Sequence, residues 1–237
     1  MSEFTGWNHG LGRYMQSDTD GDQNQQLVCF FQRNLLLWYA ESGRDLPWRH
    51  TSDPYHILVS ELMLHQTPVE RVRPKYVQWI RLYPSFQALA AAPLHEVQAV
   101  WRPLGYNVRP IRLQNIAQRV INEFQGQLPD TLEELMALKG IGRYTVGAIL
   151  SFAFHKDVPI VDTNIRRVIQ RIFGIQGHPL RAPATKQIWQ LAEQLIPQGQ
   201  AHVFNQALMD FGALMCTART PQCTACFMNM HCNYRSG

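Results

Sequence analysis

The stretch Leu138-Lys139-Gly140-Ile141-Gly142-Arg143-Tyr144-Thr145 decides the fold, because it joins two segments of helical periodicity through a turn with two glycines. Since neither glycine carries a side chain, a phosphate can approach the backbone and meet the free N–H groups that open the next helix. The turn therefore predicts a DNA contact made by Lys139, Gly140, Gly142 and Arg143. A plain helical hairpin, with one glycine ending a helix and another in the turn, is the alternative interpretation.

Helical periodicity continues on both sides of this hairpin, so the sequence predicts an all-α protein. Asp53-Pro54 offers an N-cap and a first-turn proline for one helix, and Asp130 is predicted to cap a segment that ends at Gly140. Residues 158–161 look strand-like but are too few to make a sheet. The predicted helices cover residues 26–41, 54–65, 69–82, 94–101, 110–124, 131–140, 144–154, 164–173, 184–195 and 202–216.

The composition is that of a folded globular chain. It has 237 residues, of which 46% are hydrophobic and 17% are charged, so a miniprotein held by crosslinks and a wholly disordered chain are both excluded. No apolar run approaches the roughly 18 residues that cross a bilayer, and we expect no integral membrane protein. The N-terminal residues lack the features of a signal peptide, which predicts a cytoplasmic location.

The charge of the chain is unevenly distributed. Residues 1–25 are rich in Asp, Gly, Asn and Gln, hold four acids and one base, and are predicted to form a disordered tail. The remainder carries 21 bases against 14 acids, a net charge of +7, within a total of +4. This excess is compatible with a nucleic-acid partner, although many basic proteins bind none.

Four of the five cysteines are clustered near the C-terminus. Cys216, Cys223, Cys226 and Cys232 follow the spacing C-x6-C-x2-C-x5-C, whereas Cys29 lies in the apolar segment LVCFF and is predicted to be a buried thiol. In a chain without a signal peptide such a cluster favours a metal site over disulfides. Because only one Cys-x2-Cys pair is present, a [4Fe-4S] cluster fits better than zinc, and four free thiols are the remaining alternative.

Taken together in order, the motifs resemble those of the iron-sulfur branch of the helix-hairpin-helix DNA glycosylases. The resemblance extends over about residues 34–234 and is closest to the adenine-DNA glycosylases, the MutY family. Thymine-DNA mismatch glycosylases come second, and endonuclease III is more distant. The motifs are LPWR at 46–49, DPY at 53–55, SELMLHQT at 60–67, LGY at 104–106, the glycine hairpin, VDTN at 161–164 and the cysteine cluster.

The resemblance implies a fold of two helical lobes with DNA over the groove between them. One lobe is a six-helix barrel over residues 50–157 that contains the hairpin. The other combines residues 26–49 with 158–237 and carries the [4Fe-4S] cluster loop. A monomer that binds double-stranded DNA containing a mismatch or lesion is expected.

The resemblance also implies catalytic roles. Glu61 matches the family's catalytic acid, and its place on a stripe with Ile57 and Leu64 predicts burial and a raised pKa, although an exposed helix glutamate is equally compatible. Asp162 matches the aspartate that stays ionised and stabilises the positive charge that develops on the DNA sugar as the base leaves. It also looks like an N-cap, where the helix start favours its anionic form. Tyr144 and Asn164 match positions near the sugar, or are otherwise a core tyrosine and a helix-start asparagine.

Two further features of the resemblance concern the reaction and its target. Bifunctional relatives carry a lysine at position 144 that forms a Schiff base, so Tyr144 predicts a monofunctional hydrolase. His65 and Tyr106 match the wedge that fills the hole left by the flipped base, with Gln66 facing the partner base. The adenine branch has Gln in place of His65 and a second tyrosine in place of Asn107. The thymine branch has arginine in place of Gln66 and lacks the tyrosine of LGY.

The sequence thus predicts a base-excision-repair glycosylase that removes adenine opposite 8-oxoguanine or G. Gln66 and Tyr106 favour adenine, whereas the five residues that follow Cys232 favour thymine/uracil, because most adenine glycosylases continue into a further domain. A thymine/uracil-DNA glycosylase for T:G or U:G mismatches is therefore the first alternative. A non-catalytic iron-sulfur DNA-binding protein is the second, although Glu61 and Asp162 are both retained. An electron carrier would leave the hairpin and the basic body unexplained.

Overall fold

The computed structural model describes the backbone of residues 18–236 and the side chains of residues 24–235. Over this range the chain is helical and contains no strand, which confirms the all-α prediction. None of the described helices combines the length and the apolar composition needed to cross a bilayer. In chain order the helices are α1 Asp18–Ser42, α2 Pro54–Leu64, α3 Val69–Leu82, α4 Phe86–Ala91, α5 Leu94–Trp101, α6 Val108–Glu123, α7 Leu132–Ala137, α8 Arg143–Phe152, α9 Thr163–Phe173, α10 Ala184–Gln194, α11 Ala201–Asp210 and α12 Asn233–Ser236.

The ends of several helices differ from the sequence prediction. Helix α7 is capped by Thr131 and not by Asp130, since the Thr131 hydroxyl accepts a hydrogen bond from the Glu134 N–H, and it ends at Ala137. Helix α2 ends one residue before His65. The final predicted helix is divided into α11 and a π-helical turn, Phe211–Met215. Helix α4 was not predicted, because its six residues are almost all apolar and show no helical alternation.

Helix α1 corrects two predictions about the N-terminal region. It begins at Asp18, so residues 18–25 of the predicted tail are helical, and residues 1–17 lie outside the described range. The predicted start at residue 26 depended on the apolar stripe, but the helical hydrogen bonds of α1 continue toward the N-terminus beyond that stripe. Cys29 is exposed and not buried. The reason is geometric: Phe31 and Leu35 are fully buried, and Cys29 lies about 200° around the helix from Phe31.

Helix α2 is the central helix of the fold, and it carries Glu61. Asp53 caps it by accepting hydrogen bonds from the N–H groups of Tyr55 and His56, and Pro54 occupies its first turn. It packs against α3, α6 and α8, so eight of its eleven residues are buried. A carboxyl on this helix is therefore held away from solvent by three neighbouring helices.

Helix α1 packs on α11, while α9 contacts α10, α11 and α12. The N-terminal helix is thereby joined to the C-terminal third of the chain. The division into a barrel at 50–157 and a second lobe from 26–49 plus 158–237 stays a prediction. Residues 158–161 are irregular and lead into α9, whose cap is Asp162.

Candidate active site

An open cavity of about 620 Å³ lies where α2, the start of α8 and the start of α9 meet. Its volume is in the range of small-molecule binding pockets. The structure thus brings together residues that are up to 103 positions apart, between Glu61 and Asn164. The predicted site residues that line this cavity are Glu61, His65, Gln66, Tyr144, Asp162 and Asn164.

Glu61 is 3% exposed, as its apolar stripe predicted. Burial raises its pKa to about 7, and the nearby Asp162 charge adds to the increase, while a hydrogen bond from Tyr144 and the charge of Arg49 oppose it. Its Oε2 atom is buried and has no hydrogen-bond partner among the described residues. A carboxyl in this state holds a proton near neutral pH and has one oxygen free to donate it.

Asp162 caps α9, because its Oδ1 accepts a 2.6 Å hydrogen bond from the Ile165 N–H. Its Oδ2 accepts a 3.1 Å hydrogen bond from the Asn164 amide. These donors and the charge of Arg167 stabilise the anion as expected, but burial outweighs them and raises the pKa of Asp162. With several donors against the single donor of Glu61, Asp162 is the better placed of the two carboxyls to hold a negative charge.

Tyr144 is the second residue of α8, and its hydroxyl donates a hydrogen bond to the Glu61 carboxylate. Burial raises the pKa of Tyr144 well above its ordinary value, and the two carboxyls beside it add to the increase. The phenol is therefore a neutral donor at physiological pH. Among the described residues that line the cavity there is no lysine. The cavity lining therefore offers no side-chain amine that could form a Schiff base.

Arg49 is a site residue that the sequence analysis did not assign, although it belongs to the LPWR motif. Its guanidinium donates two 2.7 Å hydrogen bonds to Asp210, which is fully buried and also binds Arg44 at 2.5 and 2.8 Å. Held in this way, Arg49 lines the cavity and its charge acts on Glu61. Asp210 in the otherwise apolar stretch ALMDFGALM was the available signal, since a buried acid requires a partner.

The predicted wedge residues occupy two loops. His65 is half-buried and contacts the Thr145 hydroxyl through Nε2 at 3.2 Å, and burial lowers its pKa, which favours the neutral ring. Gln66 is exposed at the cavity rim. Tyr106 is 58% exposed and does not line the cavity. Gln66 and Tyr106 both have a left-handed backbone, with φ of 55° and 49°.

The hairpin glycines line a second open groove, on which Lys139 is exposed. Gly140 has φ of 110°, and an added Cβ would lie 3.1 Å from the Arg112 side chain, so glycine is required there. Gly142 is the N-cap of α8 and leaves open space above its Cα. Arg143 does not line this groove; its guanidinium lies over the Trp189 ring at 3.8 Å.

The four clustered cysteines are free thiols, and all of them line one small cavity together with Arg171. Burial raises the pKa of Cys226 to about 11, and the charges of the other three cysteines add to the effect. Four thiolates at this spot therefore require a compensating positive group. Among the residues that the structure describes, no group of three or more His, Cys, Asp or Glu side chains is placed to hold a metal ion.

Arg167 connects the cavity that Glu61 and Asn164 line to the cysteine cluster. Its guanidinium donates hydrogen bonds to the Asn164 side chain at 2.9 Å and to the backbone carbonyls of Gly212 and Cys216 at 2.6 and 2.9 Å. Asp162 and Asn164 lie at the start of α9, and Arg167 on the same helix binds the loop that begins at Cys216. Helix α9 therefore links the cavity to that loop.

Comparison with protein families finds a match over residues 59–197 to the HhH-GPD superfamily of base excision DNA repair proteins. Among curated proteins, the adenine DNA glycosylase of Homo sapiens is 41% identical over 217 residues. That match covers 88% of this chain but 40% of the human protein, so the chain spans less than half the length of this relative.

Two further matches, one to a sequence and one to a solved structure, carry the name of another specificity and extend over nearly the whole length of the relative. The thymine/uracil-DNA glycosylase of Methanothermobacter thermautotrophicus is 36% identical over 216 residues, which covers 91% of this chain and 97% of that protein. The solved structure of a thermostable thymine-DNA glycosylase is 35% identical and superimposes with a TM-score of 0.85, covering 91% of this chain and 99% of the other.

Proposed function

This chain belongs to the HhH-GPD superfamily of base excision DNA repair proteins, and on that premise we propose that it is a monofunctional DNA glycosylase acting on mispaired adenine. The observation that carries the proposal is the state of Glu61. Its carboxyl is buried, its pKa is about 7, and one of its oxygens has no partner. In the same cavity lies a second carboxyl, Asp162, which accepts more hydrogen bonds than Glu61 does. Such a pair of carboxyls in different states suits the cleavage of a glycosidic bond.

In the proposed reaction protonated Glu61 donates its proton to a ring nitrogen of the target base. The bond between the sugar carbon and the base then breaks, and its electron pair leaves with the base. The resulting positive charge on the sugar is stabilised by the Asp162 carboxylate. A water molecule adds to the sugar carbon and returns a proton to Glu61, which leaves an intact abasic strand. Tyr144 and Asn164 hold the two carboxyls through the hydrogen bonds described above.

The target base must leave the duplex before it can reach this cavity. We propose that Tyr106 and His65 enter the vacated space while Gln66 faces the partner base, and that Lys139, Gly140 and Gly142 bind a phosphate of the same duplex. The left-handed backbone of Gln66 and Tyr106 supports the first part, because backbone strain of this kind is concentrated at functional sites. The basic body of the chain supports the second.

Adenine is the preferred target on two grounds. Gln66 and Tyr106 are present, and the 41% identity to adenine DNA glycosylases of mammals exceeds the 36% identity to the thymine/uracil enzymes. The second candidate is a thymine/uracil-DNA glycosylase. It is favoured by the coverage of 97% of the Methanothermobacter protein and by the TM-score of 0.85 to a thymine-DNA glycosylase.

A panel of duplexes separates these candidates. The purified protein is incubated with labelled duplexes that contain A:8-oxoguanine, A:G, T:G and U:G, and each strand is then treated with hot alkali. Breakage of the adenine strand alone supports the main proposal, and breakage at T or U opposite G supports the second. Binding without breakage of any strand would favour a non-catalytic DNA-binding protein and contradict both.

We further propose that Cys216, Cys223, Cys226 and Cys232 hold a [4Fe-4S] cluster. Their convergence on one cavity and the need to compensate four thiolates fit such a group. When bound, the cluster supplies a covalent crosslink for a C-terminal loop that otherwise contains only short helical turns. Arg171 donates to the Cys216 sulfur at 3.6 Å and to the Thr217 carbonyl at 2.7 Å, which orients this loop on α9.

The purified protein is accordingly expected to be brown and to contain about four iron atoms per chain. Cys226→Ser should lose the colour and most of the iron, because it removes one of four ligands. Cys29→Ser is the matched control and should keep both, since Cys29 is exposed on α1. Iron analysis together with visible absorbance measures the outcome, and stoichiometric zinc without iron would contradict it.

Base release should decrease as the pH rises through about 7. The reason is that Glu61 donates only while it is protonated, and its raised pKa keeps it protonated up to that range. Single-turnover rates from pH 5.5 to 9 at constant ionic strength measure the effect, and they avoid any contribution from product release. A profile that stays flat or rises between pH 6 and 8 would contradict the assignment of Glu61 as the proton donor.

A further inference from the structure

Arg109 is a buried charged residue that the proposed mechanism does not use. It lies on α6, is 5% exposed, and has no carboxylate partner among the described ion pairs. Its guanidinium donates instead to neutral oxygens in two places, the end of α2 with the loop that follows it and the segment that precedes α6. Nη1 donates to the carbonyls of Leu62, Met63 and His65 at 2.9, 3.0 and 2.7 Å, and Nη2 donates to the Thr67 hydroxyl and the carbonyls of Leu104 and Gly105 at 3.1, 3.2 and 3.1 Å.

These hydrogen bonds hold the peptide groups next to two strained residues. The His65 carbonyl precedes Gln66, and the Gly105 carbonyl precedes Tyr106. Gln66 and Tyr106 are two of only four non-glycine residues with positive φ in the described chain. A left-handed backbone at a non-glycine residue persists only where its surroundings hold it, and one guanidinium binds the peptide group beside each of the two positions.

The Arg109 guanidinium also packs against the face of the Tyr106 ring. It lies 5.3 Å from the centroid of Tyr106 and 5.3 Å from that of the fully buried Trp101. The exposed Tyr106 ring thus rests on a cation that is itself stacked on the core. The charge is offset by carbonyl dipoles at the C-terminal end of α2.

We propose that Arg109 is a positioning residue for base flipping, which fixes the Gln66 loop and the Tyr106 loop relative to each other so that both enter the duplex together. The inference rests on the proposed function, in which these loops occupy the space left by the flipped base. Arginine suits this role because the four N–H groups on its two terminal nitrogens face acceptors on two sides, whereas a lysine ammonium has three donors at one point. With the loops fixed in advance, their ordering is not a cost at the moment of binding.

The test compares Arg109→Lys with wild type on two substrates. One is the mismatched duplex that wild type cleaves best. The other carries the same target base opposite a one-nucleotide gap, where there is no partner base to separate and no stack to wedge open. We expect a single-turnover loss of about a hundredfold on the duplex and of roughly threefold or less on the gapped substrate. Arg81→Lys, an exposed arginine on α3, is the matched control and should leave both rates unchanged.

Two additional measurements separate the wedge role from general damage. A 2-aminopurine beside the target base should brighten on flipping with wild type and remain dim with Arg109→Lys. In a double-mutant cycle, Tyr106→Ala added to Arg109→Lys should cost little beyond the worse single variant, because both act on one element. Equal losses on the duplex and the gapped substrate, or additive losses in the cycle, would overturn the inference.

The outcomes also distinguish this inference from the proposed function. If wild type brightens the 2-aminopurine but releases no base, the glycosylase proposal fails, and the fluorescence alone still tests Arg109. If wild type releases the base and Arg109→Lys does so at an unchanged rate on the intact duplex, the glycosylase proposal stands and the role of Arg109 is wrong.

Discussion

Glu61→Gln is expected to reduce base release by roughly two to four orders of magnitude while duplex binding changes little. Glutamine has the size of glutamic acid and keeps a carbonyl oxygen that can accept the Tyr144 hydrogen bond, so the cavity retains its shape. The amide cannot give up a proton to a leaving base. Chemistry and binding should therefore separate in this variant.

Single-turnover cleavage and equilibrium binding to the same mismatched duplex measure the two effects. Glu96→Gln on α5 is the matched control, because it makes the same change on an exposed helix face and should alter neither quantity. Cleavage by Glu61→Gln within a few-fold of wild type would mean that another group supplies the proton. Loss of binding in parallel with cleavage would mean that Glu61 is mainly structural.

The same substitution gives a stability signature that depends on pH. The pKa of Glu61 rises from 4.5 to about 7 on folding, so the folded state binds the proton more tightly than the unfolded state. Glu61 contributes roughly 3 kcal/mol to the free energy of unfolding. This contribution is fully present below about pH 4.5 and is lost as the pH rises through 7. The free energy of unfolding of Glu61→Gln, relative to wild type, should therefore increase between pH 5 and pH 8.

The amphipathic helices were predictable because their evidence is local. The predicted bounds of α3, Val69–Leu82, and α5, Leu94–Trp101, coincide with the observed ones, since each has an apolar stripe of helical period. The start of α1 and the whole of α4 carry no such stripe, and both were missed. The boundaries of helices follow from local patterning only where a buried face opposes a polar one.

The site residues also differ in how far local sequence patterns predicted them. Glu61 was assigned from its motif, and its burial followed from the stripe on α2, but the raised pKa of Asp162 depends on burial that no local pattern encodes. Arg109 left no signal at all, because its partners are backbone carbonyls, which every residue has. Arg49 lies between these cases: its motif was visible, while its partner Asp210 is 161 residues away in the chain.

Tyr144→Lys is expected to add strand-nicking to a protein that, in the proposed reaction, otherwise leaves an intact abasic strand. Position 144 faces the reacting sugar in the proposed mechanism, since its hydroxyl bonds to Glu61 and it lines the same cavity as Asp162 and Asn164. A lysine amine there could attack the sugar carbon after the base has left, forming an imine with loss of water, and elimination then breaks the strand. Burial lowers the pKa of such an amine, while the two carboxyls oppose that shift.

Borohydride should trap this imine as a stable amine link between the variant and its DNA, and little should be trapped with wild type. The background is expected to be low, because Lys139 lies on the hairpin groove and not on the cavity. Tyr144→Met, similar in length but without an amine, is the matched control and should give neither nicking nor adduct. Trapping of wild type as efficient as that of the variant would contradict a monofunctional enzyme. Base release by Tyr144→Lys without any adduct would mean that position 144 does not face the sugar, and the reacting carbon would then have to lie nearer the Asn164 side of the cavity.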